Sequence, residues 1–299
     1  MSYYLFSKYL KEQFGQKVRR ISLDAGFTCP NRDSSGGGGC IYCNELGFIE
    51  AREKVISLKE QIEEGILIAR KKGVNRFMAY FQNATSTNAP VEELKKAYDS
   101  IIGYDDIVAL SISTRPDCVE DVKLDLITGY AKDRETWIEY GLQTIHNRTL
   151  ERIGRGHTFE QTKDAIERTA ARGIKVGVHV ILGLSGESRE DMIATAREVS
   201  RLPVNGVKLH VFQVLSDTPL EKMYADGEID LMTRDEYVAA ACDFLENISA
   251  DRVILRLVSD SREEYLIGPE WTNDKLSVIA EVKKEFASRG TYQGSSSTV

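Results

Sequence analysis

Apolar runs of strand length alternate with amphipathic segments of helix length along most of this chain, and few folds accommodate that order. The runs "RRISLDAGF", "RFMAYFQ", "DIVALSIS", "TWIEYGLQT", "IKVGVHVILGL" and "GVKLHVFQVL" are nearly continuous in apolar residues, as strands are when both faces are buried. Helical spacing marks "SLKEQIEEGILIARKKG", "APVEELKKAYDSIIG", "CVEDVKLDLITGYAKD", "TFEQTKDAIERTAARG", "SREDMIATAREVSRL" and "TRDEYVAAACDFLENI". In the first of these Ser57 is the expected N-cap, Glu60 its capping-box partner and Gly73 the stop. Six strand–helix steps predict an α/β fold with a parallel sheet and helices outside it, a (β/α)6 partial TIM barrel. In such a barrel chemistry gathers at the C-terminal ends of the strands.

Extensions are expected on both sides of that unit. Residues 1–17 read as an N-terminal helical extension, with Tyr3, Phe6, Leu10 and Phe14 at helical spacing; Lys8, Lys11 and Glu12 interrupt it too often for a secretory signal. The barrel is expected over 18–248. A C-terminal extension follows over 249–299, with "RVILRLVSD" as a further strand, "NDKLSVIAEVKKEFASRG" as a closing helix and "GSSSTV" as a disordered tail. No apolar stretch is long enough to span a bilayer, and a cytoplasmic location is the expectation. The formal net charge of −7 lacks the overall basic footprint of a nucleic-acid binder. Local patches at Arg19-Arg20 and at Arg70-Lys71-Lys72 with Arg76 read as solvated faces as readily as contacts.

Three of the five cysteines lie in "CPNRDSSGGGGCIYCN", on the loop that leaves the first strand at its C-terminal end. Cys29, Cys40 and Cys43 form C-x10-C-x2-C, with four glycines free to adopt unusual dihedrals between them. Three thiolates without a fourth suit a metal site that keeps one position open. Tetrahedral zinc would normally recruit a fourth protein ligand, and no histidine lies within a hundred residues of the loop. Iron–sulfur clusters usually take four cysteines, so three leave one iron free. Spacing alone leaves both metals open. Cys118, in "RPDCVED", reads as a pocket residue or a small hydrophobe, and Cys242 as packing.

The cysteine triplet, with aromatic Tyr42 before its last member, resembles the radical S-adenosylmethionine (SAM) superfamily. The wide form "CPNRD…GGxCxxC" departs from the C-x3-C-x2-C of most members. It is similar to a bacterial branch related to the catalytic domain of elongator-type tRNA-modifying enzymes. The likeness covers roughly residues 15 to 270 and includes "YFQNATSTNAP", "SISTRPDCV", "WIEYGLQTIHNRTLERIGRGH", "HVILGLSGE" and "LHVFQVLSDTPL".

What the resemblance implies is a [4Fe-4S] cluster on Cys29, Cys40 and Cys43, with the amino and carboxyl groups of SAM on the open iron. "FQNATST" stands where many members carry a Gly-Gly-Glu contact to the amino group, making Gln82 and Thr85 candidates. Ser113 and Arg115 are expected to face the cofactor, Ser113 where relatives often have Glu; Arg115 reads equally as a buried partner for an acid. Gln143 and Arg155 resemble a pair that holds the ribose and carboxylate, and arginine's forked donors suit a carboxylate. Gly183 is expected to let the backbone approach adenine. Glu139, on one strand face with Gln143, is expected in a catalytic role or as a barrel-core ion pair. His179 and His210 are expected in catalysis or as satisfied interior imidazoles.

The implied reaction is reductive cleavage of SAM and hydrogen abstraction by the resulting 5′-deoxyadenosyl radical, with the protein supplying orientation and excluding water and oxygen. A flavodoxin or ferredoxin would deliver the electron. Relatives of the branch act on the wobble uridine, which makes tRNA the leading substrate. The net charge of −7 argues against that, and a small molecule or peptide stays open. A non-catalytic metal- or cluster-binding barrel is the reading from a different class, and the intact "GLSGE" and Gln143–Arg155 blocks speak against it.

Overall fold

The computed structural model describes residues 2–32, 38–44, 56–259 and 261–298. Helix α1 (Phe6–Phe14) precedes strand β1 (Arg19–Leu23), and beyond the cysteine loop come α2 (Leu58–Arg70) and β2 (Phe77–Phe81). There follow α3 (Val91–Tyr98), β3 (Ile107–Thr114), α4 (Asp121–Tyr130), β4 (Glu135–Gln143), α5 (Asn147–Arg152), α6 (Phe159–Ala171) and β5 (Lys175–Leu182). The last third holds α7 (Arg189–Arg201), β6 (Gly206–Val211), β7 (Val214–Leu215), α8 (Pro219–Ala225) and α9 (Arg234–Asn247). It ends with β8 (Val253–Arg256), β9 (Leu266–Gly268) and α10 (Lys275–Arg289). Among the described residues seven strands pair in parallel in the order β1-β2-β3-β4-β5-β6-β8, a curled half-barrel.

Local chemistry sets the helix starts. The Ser57 hydroxyl accepts from the Glu60 amide while the Glu60 carboxylate takes the Ser57 amide, as expected, and Gly73 follows the helix with φ +73°. The same box opens α6 at Thr158, α7 at Ser188 and α9 at Thr233. Those helices cover the outer sheet face, where Phe81, Ile112, Tyr140, Val178 and Leu209 lie in one continuous core.

The inner face reads in layers, because alternate residues of a strand share a face. Lowest are Met78, Ala109 and Trp137, sealed by Phe6 and Leu10 of α1, with Phe6 edge-on to Trp137 at 5.6 Å. Two residues further along come Tyr80, Ser111 and Glu139, joined by His179 and Lys208 in a buried polar layer. Two more bring Gln82, Ser113 and Gly141, with Ile181 and His210, to the wall of an open cavity.

Three expectations change. The run "GVKLHVFQVL" divides after Val211, and Val214–Leu215 pairs antiparallel with β9. Strand β8, from the expected C-terminal extension, is hydrogen-bonded to β6 as the seventh strand of the sheet. The tail expected to be disordered is ordered through residue 298: the Gly294 and Ser296 amides bond the Leu245 and Glu246 carbonyls. Those carbonyls end α9 and have no partner within the helix, so the tail completes it.

Candidate functional site

The cysteine loop is wedged between two neighbours. On one side is the "IGRGH" turn after α5: the Ile41 amide bonds the Ile153 carbonyl, and Asn31 Nδ2 donates to the Gly154 carbonyl at 2.7 Å and lies 3.7 Å from Cys40 Sγ. On the other is the start of α8, where the Leu220 amide bonds the Ile41 carbonyl and Asn44 Nδ2 donates to the Ser216 carbonyl at 2.7 Å. Gly154 (φ +65°) and Gly156 (φ +74°) allow this approach; a Cβ on Gly156 would lie 2.4 Å from Asn31 Oδ1. Within the loop the Cys43 amide bonds the Cys40 carbonyl, and Arg32 donates to the Cys43 carbonyl.

Arg155 sits at the junction of loop and sheet. Its Nη1 is 3.4 Å from Cys40 Sγ, and its Nη2 donates to the Gly141 carbonyl at 3.0 Å, where a side chain at position 141 would collide with it. Burial works against the guanidinium charge, but the neighbouring Tyr42 and Cys40 outweigh it and raise its pKa. Arg115 holds Arg155 from behind, donating to its carbonyl at 2.8 Å while paired with Asp117. The reading of Arg115 as a buried partner for an acid describes this geometry.

Cys29, Cys40 and Cys43 line one cavity of about 740 Å³ together with Gln82, Thr85, Ser113, Arg115, Gln143, Arg155, His179 and His210. That is within the size range of ligand sites. Gln143 ends β4 at φ +69°, a left-handed conformation that a non-glycine residue holds only where its surroundings enforce it. Two of the expected residues stand elsewhere. Glu139 lies beneath the cavity wall, and Gly183 lies off it, its amide 3.4 Å from Met192 Sδ and Met232 against its open side.

The polar layer below is an ion network that sequence reasoning reached only in part. Glu139, 1 % exposed, accepts from Ser111 Oγ at 2.8 Å, His179 Nε2 at 2.8 Å, Tyr80 Oη at 3.0 Å and Lys208 Nζ at 3.1 Å. Burial pushes its carboxyl up, but the Lys208 charge and the His179 hydrogen bond outweigh that and hold it well below the usual carboxylate range. His179 is driven down to about 4, first by burial and then by Lys208, so its neutral ring donates Nε2–H to Glu139. Lys208 also donates to Tyr80 Oη at 2.6 Å and lies over that ring at 4.8 Å. The signal for Lys208 was a lone charge inside the apolar strand "GVKLHV", two residues before His210. Cys118 is a buried thiol whose pKa burial, then Asp117, pushes up to about 11; it does not line the cavity.

The donor set fits a cluster ligated by one thiolate per iron. The three thiols share the cavity without converging on one point: among the described residues no group of three His, Cys, Asp or Glu is placed to hold a single metal ion. Cys29 and Cys43 are partly exposed, while Cys40 is 6 % exposed beside the Arg155 guanidinium. Among the described residues, the Thr85 hydroxyl and His210 Nε2 are buried with no hydrogen-bond partner.

Comparison with known proteins agrees with this reading. The family model described as the radical SAM superfamily matches residues 28–199, and that of the radical SAM C-terminal domain matches residues 204–288. The YtqA protein of Bacillus subtilis is 38 % identical over 297 residues, covering 98 % of this chain and 92 % of the relative. A tRNA uridine(34) acetyltransferase of Methanocaldococcus jannaschii is 31 % identical over 134 residues, 44 % of this chain and 24 % of that protein. In fold, the Elp3 protein of Methanocaldococcus infernus superimposes with a TM-score of 0.66 at 18 % identity, over 92 % of this chain and 64 % of that one.

Proposed function

The chain belongs to the radical SAM superfamily, and we propose that it modifies the side chain of the wobble uridine of tRNA. It is an enzyme whose cofactors are a [4Fe-4S] cluster and S-adenosylmethionine. When bound, these supply an organic radical able to remove hydrogen from an unactivated carbon. The observation that carries the reading is the meeting of Cys29, Cys40 and Cys43 with Arg155, Gln143 and the orphaned Thr85 hydroxyl on one cavity.

The chain's own residues bind, orient and exclude. Arg155 neutralises charge at Cys40, and Arg115 and Gly141 fix its direction. Thr85 and Gln82 on the loop after β2, with Ser113 and Gln143 at the ends of β3 and β4, offer polar groups to the cofactor's amino, carboxyl and ribose ends. Below them Glu139, Lys208, Tyr80 and His179 close the barrel to water from beneath, and α1 seals the layer under that. Partial exposure of Cys29 and Cys43 suits docking of a small reductant of the flavodoxin or ferredoxin type, and a cytoplasmic setting suits both reductant and tRNA.

Support for tRNA comes from the uridine(34) acetyltransferase, which this chain resembles over 134 residues, and from the Elp3-like fold. A second reading, a small molecule or a peptide, is kept open by the net charge of −7, which works against a polyanion such as tRNA. Anaerobically reconstituted protein given reductant and SAM is expected to release 5′-deoxyadenosine, and Cys43→Ala to abolish the release. In a deletion strain, mass spectrometry of tRNA nucleosides should show an altered wobble uridine. An unchanged nucleoside profile would reject the tRNA reading and leave the small-molecule one.

A further inference from the structure

One corner of the molecule runs against its net charge of −7. Residues 15–20 and 65–76 together hold seven cations (Lys17, Arg19, Arg20, Arg70, Lys71, Lys72 and Arg76) and no carboxylate. The fold joins the two segments. The Arg19 amide bonds the Arg76 carbonyl at 3.0 Å, and Arg19 pairs with Phe77 where β1 and β2 begin. Helix α2 ends at Arg70, and Asp106 ties that end to the strands, accepting from Arg70 Nη2 at 2.7 Å and from Arg76 Nη1. Lys71 and Lys72 follow directly. Arg20 turns inward, over the Phe6 and Tyr80 rings at 5.4 and 5.5 Å, which leaves six cations at the corner. The loop before β3 brings Asp106 and its exposed neighbour Asp105 against them. Among the described residues Lys17, Arg19, Lys71 and Lys72 are exposed and have no carboxylate partner.

Like charges gathered on one surface repel one another, and a polyanion relieves that repulsion while releasing its own counterions. Position decides which polyanion fits. The corner lies at the N-terminal ends of β1 and β2, whereas the cysteine loop follows the C-terminal end of β1, a strand of five residues and about 17 Å away. A protein reductant has to approach the cluster, and Cys29 and Cys43 are partly exposed at that other end. An RNA has no such constraint, because its phosphates continue on both sides of the base that reacts. We propose that this corner docks the phosphate backbone of the tRNA whose wobble base enters the cavity, with Lys17, Arg19, Lys71 and Lys72 as its contacts. The assignment rests on the wobble-uridine reading, and it answers the objection raised by the net charge. Charges more than about 10 Å away are largely screened at 0.1 M salt, so acids elsewhere on the surface do not cancel the corner.

Binding of an unmodified tRNA transcript to the reconstituted protein, followed by fluorescence anisotropy between about 50 and 200 mM salt, tests it. The double variants Lys71→Gln/Lys72→Gln and Lys17→Gln/Arg19→Gln should each weaken binding about tenfold and flatten the slope of log affinity against log salt by about one to two. Lys283→Gln/Lys284→Gln removes the same charge from exposed positions on α10 and should change neither. Release of 5′-deoxyadenosine with dithionite and SAM should stay at the wild-type level in all three. Equal weakening by the three pairs, or none by the first two, overturns the proposal and leaves the tRNA reading standing. Slower release with flavodoxin as the reductant, at unchanged tRNA affinity, overturns it in favour of a reductant site. A wild-type protein that binds no tRNA rejects the wobble-uridine reading, and the docking surface with it.

Discussion

Glu139 and Lys208 show how the barrel keeps charge inside it. The carboxylate is tied by four donors from four strands, while burial has drawn the ammonium down to about 7 with Glu139 opposing. Removing either partner therefore has unequal consequences. Lys208→Met leaves a buried carboxylate short of its cation, and a loss of about 3–5 kcal/mol is expected. Glu139→Gln leaves an ammonium already poised to shed its proton, so the loss should be smaller. The double variant should recover much of the larger loss, giving a coupling well above 1 kcal/mol in a denaturant double-mutant cycle. Additive losses would mean that the two do not act as a pair. Sequence reasoning offered the ion pair as one role for Glu139 but could not name its partner. Tyr80, Glu139 and Lys208 come from strands separated by 59 and 69 residues, and only the curled sheet brings them together.

At the scale of elements, the turn "IGRGH" is the buttress of the cysteine loop, and its glycines carry a prediction. Gly156→Ala must place a Cβ 2.4 Å from Asn31 Oδ1 at a positive φ, so Asn31, and with it the contact near Cys40, must move. Gly173→Ala has the same sign of φ with nothing within 4 Å. Both should cost the backbone about 1 kcal/mol, but only Gly156→Ala should reduce the iron retained per chain after reconstitution. Equal iron retention would show that the turn does not shape the loop. Strands and long helices were legible because apolar runs and capping boxes are local signals, as at Ser57 and Thr158. Helices α5 and α8 were missed, since six or seven residues span two turns at most and show no clear periodicity. The cysteine triplet was legible from spacing. Its support by Asn31, Gly154 and the start of α8 was not, because those contacts reach across more than a hundred residues.

Across the whole molecule, burial of basic groups around the barrel interior sets the response to acid. His157 and His179 are driven down to about 4, both chiefly by burial, and His210 falls well below its usual value, by burial and then by His179. Each is neutral when folded and takes up a proton near pH 6.5 when unfolded. Their folded pKa values are depressed, so the unfolded chain binds more protons below pH 6.5 and stability falls as the pH drops. Each imidazole contributes a slope of up to about 1.4 kcal/mol per pH unit between roughly 6.5 and 4. Glu139, also depressed, adds in the same direction below the usual carboxylate range, while Glu187, raised by burial, opposes. With three imidazoles the loss over two units rivals the whole stability of a typical domain, about 5–15 kcal/mol. Chemical denaturation at pH 7.5, 6.5, 5.5 and 4.5 should therefore give a steadily falling unfolding free energy, with most of the fold lost near the last value. His179→Gln should flatten the slope by about one third, since it removes one of three equivalent protons from the difference. A stability that stays level down to pH 4.5 would mean that these rings gain protons without leaving the folded state.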